Sequence, residues 1–309
     1  MKSVRIASIS IHPEPNPGAS VKRLLSQAEK LVREAGCAKP DIISLPEFFA
    51  HQALAPQKWK REAEDVQGEV VTRMAGLARE LDCVILCPIL ERDGDAIYNS
   101  VVFLSPKGKV LGSYHKMMPT IMELDHGVRP GAETIVVDTP VGRLAALLCF
   151  DINFSEVQIA LRNARPQVIF FCSMFRGGLR LRHLALECGC YVVGSNSLSN
   201  QLINPLGRLL NKAGGRQESF SSLPQFLEET INLNFGVYHL DYNQQALLAL
   251  RTKYAGHVRL EVAQAEAVFL LESLDPKLSI GRLEKEFELE RSLDYFDRAR
   301  AGAAANVRK

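Results

Sequence analysis

Three short stretches combine residue types that can do chemistry. In "LAALLCFDINFSE" (144–156) an apolar run ends in Cys149, and the polarity then changes abruptly at Asp151 and Asn153. Ser155 followed by Gln158 fits a capping box, which predicts a helix starting near 155, only a few residues after the strand ends. A cysteine in such a strand-to-helix turn sits near free backbone N–H groups and a positive helix end, both of which favour the thiolate. In "IISLPEFF" Glu47 follows an apolar strand and is flanked by Pro46, Phe48 and Phe49, surroundings that desolvate a carboxylate and suit it to act as a base. In "SYHKMMPT" Lys116 stands between Tyr114, His115 and two methionines. An ammonium fixed beside a cysteine lowers the thiol's pKa and holds a developing oxyanion, as attack on an amide or nitrile demands. Each motif alone has an ordinary reading: a turn glutamate, a surface lysine, a buried thiol. The ordinary reading is kept for Cys37, Cys83, Cys87, Cys172, Cys188 and Cys190.

The whole chain narrows the partners. Its 309 residues suffice for one large domain or two small ones. With 37 Lys and Arg against 35 Asp and Glu, the net charge of +2 supplies no field for recruiting nucleic acid or an anionic membrane. Seven cysteines at irregular positions, mostly in apolar runs, read as reduced thiols. The N-terminal "MKSVRIASISIH" lacks the apolar core of a signal peptide, and no stretch reaches the roughly 18 apolar residues of a membrane span. The expectation is a cytoplasmic protein.

Elements able to position the three motifs follow from hydrophobic periodicity. "VRIASISI" reads as a strand, and Val21, Leu24, Leu25, Ala28, Leu31 and Val32 share one face of a helix stopped at Gly36. "DIISLP", the helix "VVTRMAGLARELD" and the strand "CVILCPIL" repeat the unit. "YNSVVFLSPKGKVLGSYHK", "TIVVDTPVGRLAALLCF" and "QLINPLGRLL" read as hairpins. Helices are predicted at 155–164 and in "LRLRHLALECG", with strands "PQVIFFCSMF" and "YVVGSNS" after or between them. Mixed sheets with helices on their outer faces imply an α/β fold, a four-layer α-β-β-α sandwich. Residues 212–230 read as a polar surface loop, and the charged C-terminal stretch as one helix with a tail.

In this order and at these intervals, "LPEFF", "YHKMMPT" and "CFDINFSE" resemble the Glu-Lys-Cys motifs of the nitrilase (carbon–nitrogen hydrolase) superfamily. "GVRPG", "FFCSMFRGGLRLRHLALECGCYVVGSNS" and "INPLGRLL" are similar to its later landmarks, so the resemblance covers most of residues 4 to 210. The resemblance implies the α-β-β-α fold, a hydrolase domain over 1–285, and a C-terminal helix and tail (286–309) that a homodimer exchanges. It makes Cys149 the nucleophile, Glu47 the general base and Lys116 the stabiliser of the tetrahedral intermediate, helped by the backbone N–H of Phe150. Glu123 would orient the substrate or support the lysine, and Phe48, Met174 and Phe175 would flank the pocket. No metal or cofactor is implied, and Asp151 is assigned a supporting role. The implied activity is hydrolysis of a small amide or carbamoyl substrate through a thioester; amidases outnumber nitrilases in the superfamily, a fold-level prior. The alternatives are a nitrilase with the same triad and a non-catalytic small-molecule-binding relative. His115 and Asn204-Pro205 depart from the pattern of several members. A separate reading, a Cys-His hydrolase, rests on His115, the one histidine beside a motif; a zinc site from Cys83, Cys87, Cys188 and Cys190 has the wrong spacing.

Overall fold

The computed structural model describes residues 2–11, 20–197, 199–213 and 226–307. Most of the predicted 212–230 loop, and His12, lie outside these residues. In chain order the first half comprises β1 (Ser3–Ile9), α1 (Val21–Gly36), β2 (Ile42–Ser44), α2 (Trp59–Glu62), α3 (Glu69–Leu81), β3 (Val84–Asp93), β4 (Ala96–Leu104), β5 (Val110–His115) and α4 (Ile121–Asp125). The second half comprises β6 (Val136–Asp138), β7 (Arg143–Leu148), α5 (Ser155–Ala164), β8 (Val168–Ser173), α6 (Leu179–Cys188), β9 (Tyr191–Asn196), β10 (Asn200–Ile203) and β11 (Leu209–Ala213). There follow β12 (Phe226–Asn232), β13 (Phe235–His239), α7 (Leu240–Lys253), β14 (Val258–Ala263), β15 (Val268–Ser273), α8 (Ile280–Phe287) and α9 (Ser292–Val307).

Two six-stranded sheets, β12-β1-β2-β3-β4-β5 and β11-β10-β9-β8-β7-β6, stack face to face. The alternation of side chains along each strand assigns the layers. Ile6, Ile42, Leu86 and Phe103 of the first sheet meet Ala146, Leu148, Phe170 and Val193 of the second in one central core. Their neighbours Ala7, Ile43, Ile85 and Val102 face outward onto α1 and α3, while Leu147, Ile169, Phe171 and Val192 face α5 and α6. That is the four-layer α-β-β-α arrangement. Strands β2, β8 and β9 are buried along their whole length, as parallel strands covered on both faces must be. The three predicted hairpins form, β4-β5, β6-β7 and β10-β11.

A third sheet, β13-β15-β14, was not anticipated. One face (Phe235, Val237, Val268, Leu270) extends the central core, and the other (Tyr238, Phe269, Leu271) packs under α7 and α8. It docks at the first residue of β9, where Tyr191 meets the Phe235 ring edge-on at 5.2 Å and donates to Glu272 at 3.2 Å. This unit therefore closes the N-terminal end of the parallel strands and leaves their C-terminal end free. The charged C-terminal stretch is two helices, because Glu288 adopts a left-handed conformation (φ 52°) that ends α8. No helix among the described residues is long and apolar enough to cross a membrane.

Candidate active site

The free end of the sandwich collects the candidate residues. Parallel pairing of Ser8 with Ser44 and of Leu148 with Cys172 aligns the strand ends, so the residues that follow β2, β5, β7 and β8 emerge on one edge. Glu47 comes three residues after β2, Lys116 directly after β5, and Cys149 directly after β7.

Lys116 is the hub. Its Nζ donates to Glu47 Oε1 at 2.9 Å and to Glu123 Oε2 and Oε1 at 2.8 and 3.1 Å, and all three side chains are at most 3% exposed. Asn99 on β4 ties the carboxylates together, its Nδ2 donating to Glu47 Oε1 at 2.8 Å and Glu123 Oε1 at 2.7 Å. Burial works against the ammonium, but the two carboxylates outweigh it and hold Lys116 above the usual lysine range. Burial likewise opposes the Glu123 carboxylate, and Lys116, the Thr120 N–H and Asn99 outweigh it to hold that group below its ordinary value. Glu123 also completes a capping box with Thr120, which gives the "PT" after the methionines its local role at the start of α4. The lysine strand end is fixed from behind: Gly131 donates to the Lys116 carbonyl at 2.8 Å, and a Cβ at Gly131 would lie 2.2 Å from the His115 oxygen.

Cys149 opens a single turn of 3₁₀ helix over 149–153 with φ 45°, a left-handed conformation rare for a residue with a Cβ. Its thiol is half-buried and interacts with Glu47, Lys116 and the Ser173 hydroxyl. Burial and the Glu47 charge push the thiol up, against the smaller pull of Lys116 and Ser173. These effects oppose the thiolate expected from a nearby helix end and favour the thiol. The capping box is corrected. Helix α5 begins at Ser155, but its N-cap is Phe154 with no side-chain bond, and Gln158 Nε2 instead donates to the Ile152 carbonyl at 2.8 Å. Asp151 is fully buried and accepts hydrogen bonds from Tyr114, Met118 and Leu148.

The remaining candidates divide. Met174 donates its backbone N–H to Glu47 Oε2 at 3.2 Å, and the side chains of Met174, Phe175 and Phe150 are exposed beside the site. Phe48 has φ 53° and is buried against Trp59 in a separate apolar cluster with Leu54 and Ile97. His115 stays outside the group: it stacks on Tyr98 at 4.1 Å and bonds Glu91 through Nε2 at 3.1 Å. Cys37 is exposed rather than buried. Sequence reasoning missed Asn99 and Ser173; the available signal was a polar residue interrupting or ending an apolar strand, in "AIYNSVVFL" and "VIFFCS". Among the described residues, no group of three or more His, Cys, Asp or Glu side chains is placed to hold a metal ion. The arrangement, a thiol next to a carboxylate and an ammonium with a second carboxylate behind, suits nucleophilic attack on a carbonyl or nitrile carbon.

Comparison with known proteins fits this chemistry. The family model described as carbon-nitrogen hydrolase matches residues 5–222. The bifunctional nitrilase/nitrile hydratase NIT4 of Oryza sativa subsp. japonica is 28% identical over 200 residues, 56% of this chain and 55% of the rice protein. Nitrilase 1 of Arabidopsis thaliana is 27% identical over 195 residues, 55% of this chain and 56% of its own. The chain thus spans about half the length of the curated relatives it matches. In fold it is similar to the C. elegans NitFhit protein (TM-score 0.63, 20% identity, 81% of this chain and 63% of that one). It is also similar to an amidase from Nesterenkonia sp. (TM-score 0.64, 19% identity, 81% of this chain and 96% of that one).

Proposed function

The chain belongs to the carbon–nitrogen hydrolase family, and we propose that within it the protein cleaves a non-peptide carbon–nitrogen bond of a small amide or carbamoyl compound through a Cys149 thioester. The observation that carries this reading is the convergence of Cys149, Glu47 and Lys116 from three strand ends, with Lys116 bonded to Glu47 and the thiol within the field of both. Because the thiol rests protonated, attack is coupled to proton transfer: Sγ bonds to the carbonyl carbon as its proton passes to Glu47. Lys116 and the Phe150 backbone N–H stabilise the oxyanion. Glu47 returns the proton to the leaving nitrogen, ammonia or an amine departs, and the thioester remains. A water then gives its proton to Glu47 and adds to the thioester; the acid leaves and the thiol regains the proton. Glu123 supports the lysine, and Phe150, Met174 and Phe175 contact the substrate at the mouth.

A second reading, hydrolysis of a nitrile through a thioimidate on the same triad, is favoured by the nitrilase names of the relatives at 27–28% identity. A cytoplasmic homodimer that exchanges the segment 286–309, with hydrolase chemistry confined to 1–285, completes the proposal. The test is ammonia release from a panel of amides, carbamoyl amino acids and nitriles by the intact protein and by Cys149→Ala, with intact-mass detection of a covalent adduct. We expect turnover of an amide or carbamoyl compound, lost in the folded variant. Turnover of nitriles alone selects the second reading. Absence of both turnover and adduct across the panel points to a non-catalytic binding relative.

A further inference from the structure

We propose that Asp151 is a positioning residue that sets the thiol of Cys149 against the ammonium of Lys116; this rests on the hydrolase reading above. Its carboxylate is attached to the chain on both sides of the lysine and immediately before the cysteine. Oδ2 accepts from the Tyr114 hydroxyl at 2.8 Å and from the Leu148 N–H at 3.1 Å, and Oδ1 accepts from the Met118 N–H at 2.8 Å. Tyr114 precedes Lys116 by two residues, Met118 follows it by two, and Leu148 directly precedes Cys149. Because β5 and β7 belong to different sheets, these bonds cross the sandwich at the one place where the lysine and the cysteine must meet.

The backbone of Cys149 supplies the reason such a clamp is needed. A non-glycine residue at φ 45° is strained, and it persists only where its surroundings over-determine it. The bond from Leu148 to Asp151 closes the turn in which the strained residue sits, and the bonds from Tyr114 and Met118 fix that turn to the lysine loop. With the clamp loosened, the turn can relax toward negative φ, which swings the thiol away from the ammonium. The carboxyl itself is fully enclosed; burial raises it to about 7, against the Tyr114 hydroxyl, the Met118 and Leu148 N–H groups and the Lys116 charge. A buried carboxyl serving stability alone would need these bonds but would have no reason to place them astride the lysine and the nucleophile.

The test measures the rate at which iodoacetamide alkylates Cys149, resolved by mass spectrometry, in the full-length protein and in Tyr114→Phe and Asp151→Asn, alongside kcat, KM and thermal midpoint. Tyr114→Phe keeps the ring and the Asp151 carboxyl and removes one bond. We expect the alkylation rate to change about tenfold, the order of one hydrogen bond to a buried carboxyl, because a displaced thiol leaves Glu47 and its burial as well as Lys116. Asp151→Asn, which must set an amide donor against either the Leu148 or the Met118 N–H, is expected to lower kcat about 100-fold, the order of a 1 Å misplacement, with KM little changed. Wild-type alkylation rates in Tyr114→Phe, or a fall in kcat that only tracks lost folded protein, overturn the proposal even if Asp151→Asn fails to fold. No turnover of any substrate by the wild type, together with an altered alkylation rate in Tyr114→Phe, sinks the hydrolase reading and leaves the clamp standing.

Discussion

Replacing Lys116 by methionine tests whether the buried charges act as one unit. The side chain keeps its length and apolar stem but loses the ammonium that Glu47 and Glu123 share at 2.9 and 2.8 Å. At an effective dielectric of about 20, each contact is worth about 6 kcal/mol before desolvation is counted. Desolvation offsets most of that, and removing one partner from a buried ionic group costs about 3–5 kcal/mol in practice. The residual strain is between two carboxylates held together by the same Asn99 amide at 2.8 and 2.7 Å. Urea unfolding should therefore show Lys116→Met less stable than wild type by that margin at about pH 8, with a smaller gap at about pH 5. The sign follows from two opposite trends. In the wild type, Glu123 is held below the carboxylate range, so the stability it supplies is present above that range and is lost as pH falls through it. In the variant the uncompensated pair favours taking up a proton, which raises its folded-state affinity, so its stability is greatest in acid and is lost as pH rises. Both trends narrow the gap on acidification. Equal stability at about pH 8, or a gap that widens in acid, would refute the account of the site as two carboxylates compensated by one ammonium.

Variants at two neighbouring positions test the same geometry. Glycine is ordinarily less stabilising than alanine by about 1 kcal/mol, but at the left-handed φ of 45° of Cys149 the order should reverse, making Cys149→Gly at least as stable as Cys149→Ala in thermal unfolding; alanine clearly the more stable would show that the backbone there is unstrained. His115→Ala should leave turnover near normal, whereas complete loss would favour a Cys-His mechanism. The same variant should cost about 1.5–3 kcal/mol by removing a bond to the buried Glu91, whose carboxyl is held low by His115 and Ser113 against the effect of burial. Because a depressed carboxyl stabilises above its range and loses that contribution in acid, the cost should shrink as pH falls through and below the carboxylate range.

The reach of sequence reasoning here depended on what kind of interaction placed each residue. The sandwich was legible because period-2 and period-3.6 patterns coincide with real layers: residues 42–44 of "DIISLP" and 168–173 of "PQVIFFCSMF" are buried on both faces, and helix 155–164 has the bounds read for it. The third sheet was not, since β14 carries only a weak burial pattern and its partner β15 is buried throughout, so neither shows the alternation that marks a half-exposed strand. Within the site, residue type and order located the thiol, acid and ammonium, but not their electrostatic balance. A neighbouring lysine alone argues for a thiolate; burial and the Glu47 carboxylate, both products of tertiary structure, decide the other way.

That balance bears on why the second carboxylate and Asn99 belong to the site. A lysine paired to Glu47 alone would draw the base's charge into a private ion pair, and the base would have less reason to take the cysteine proton. Glu123 takes up part of the ammonium's hydrogen bonding through both its oxygens, while Asn99 holds the two carboxylates on either side of it. Glu47 keeps its Oε2 for the Met174 N–H on the side of the strand end that leads to Ser173 and the thiol. The residues beyond the three motif positions thus divide the lysine's charge, and that division leaves one carboxylate able to act on the sulfur while the ammonium stays fixed for the oxyanion.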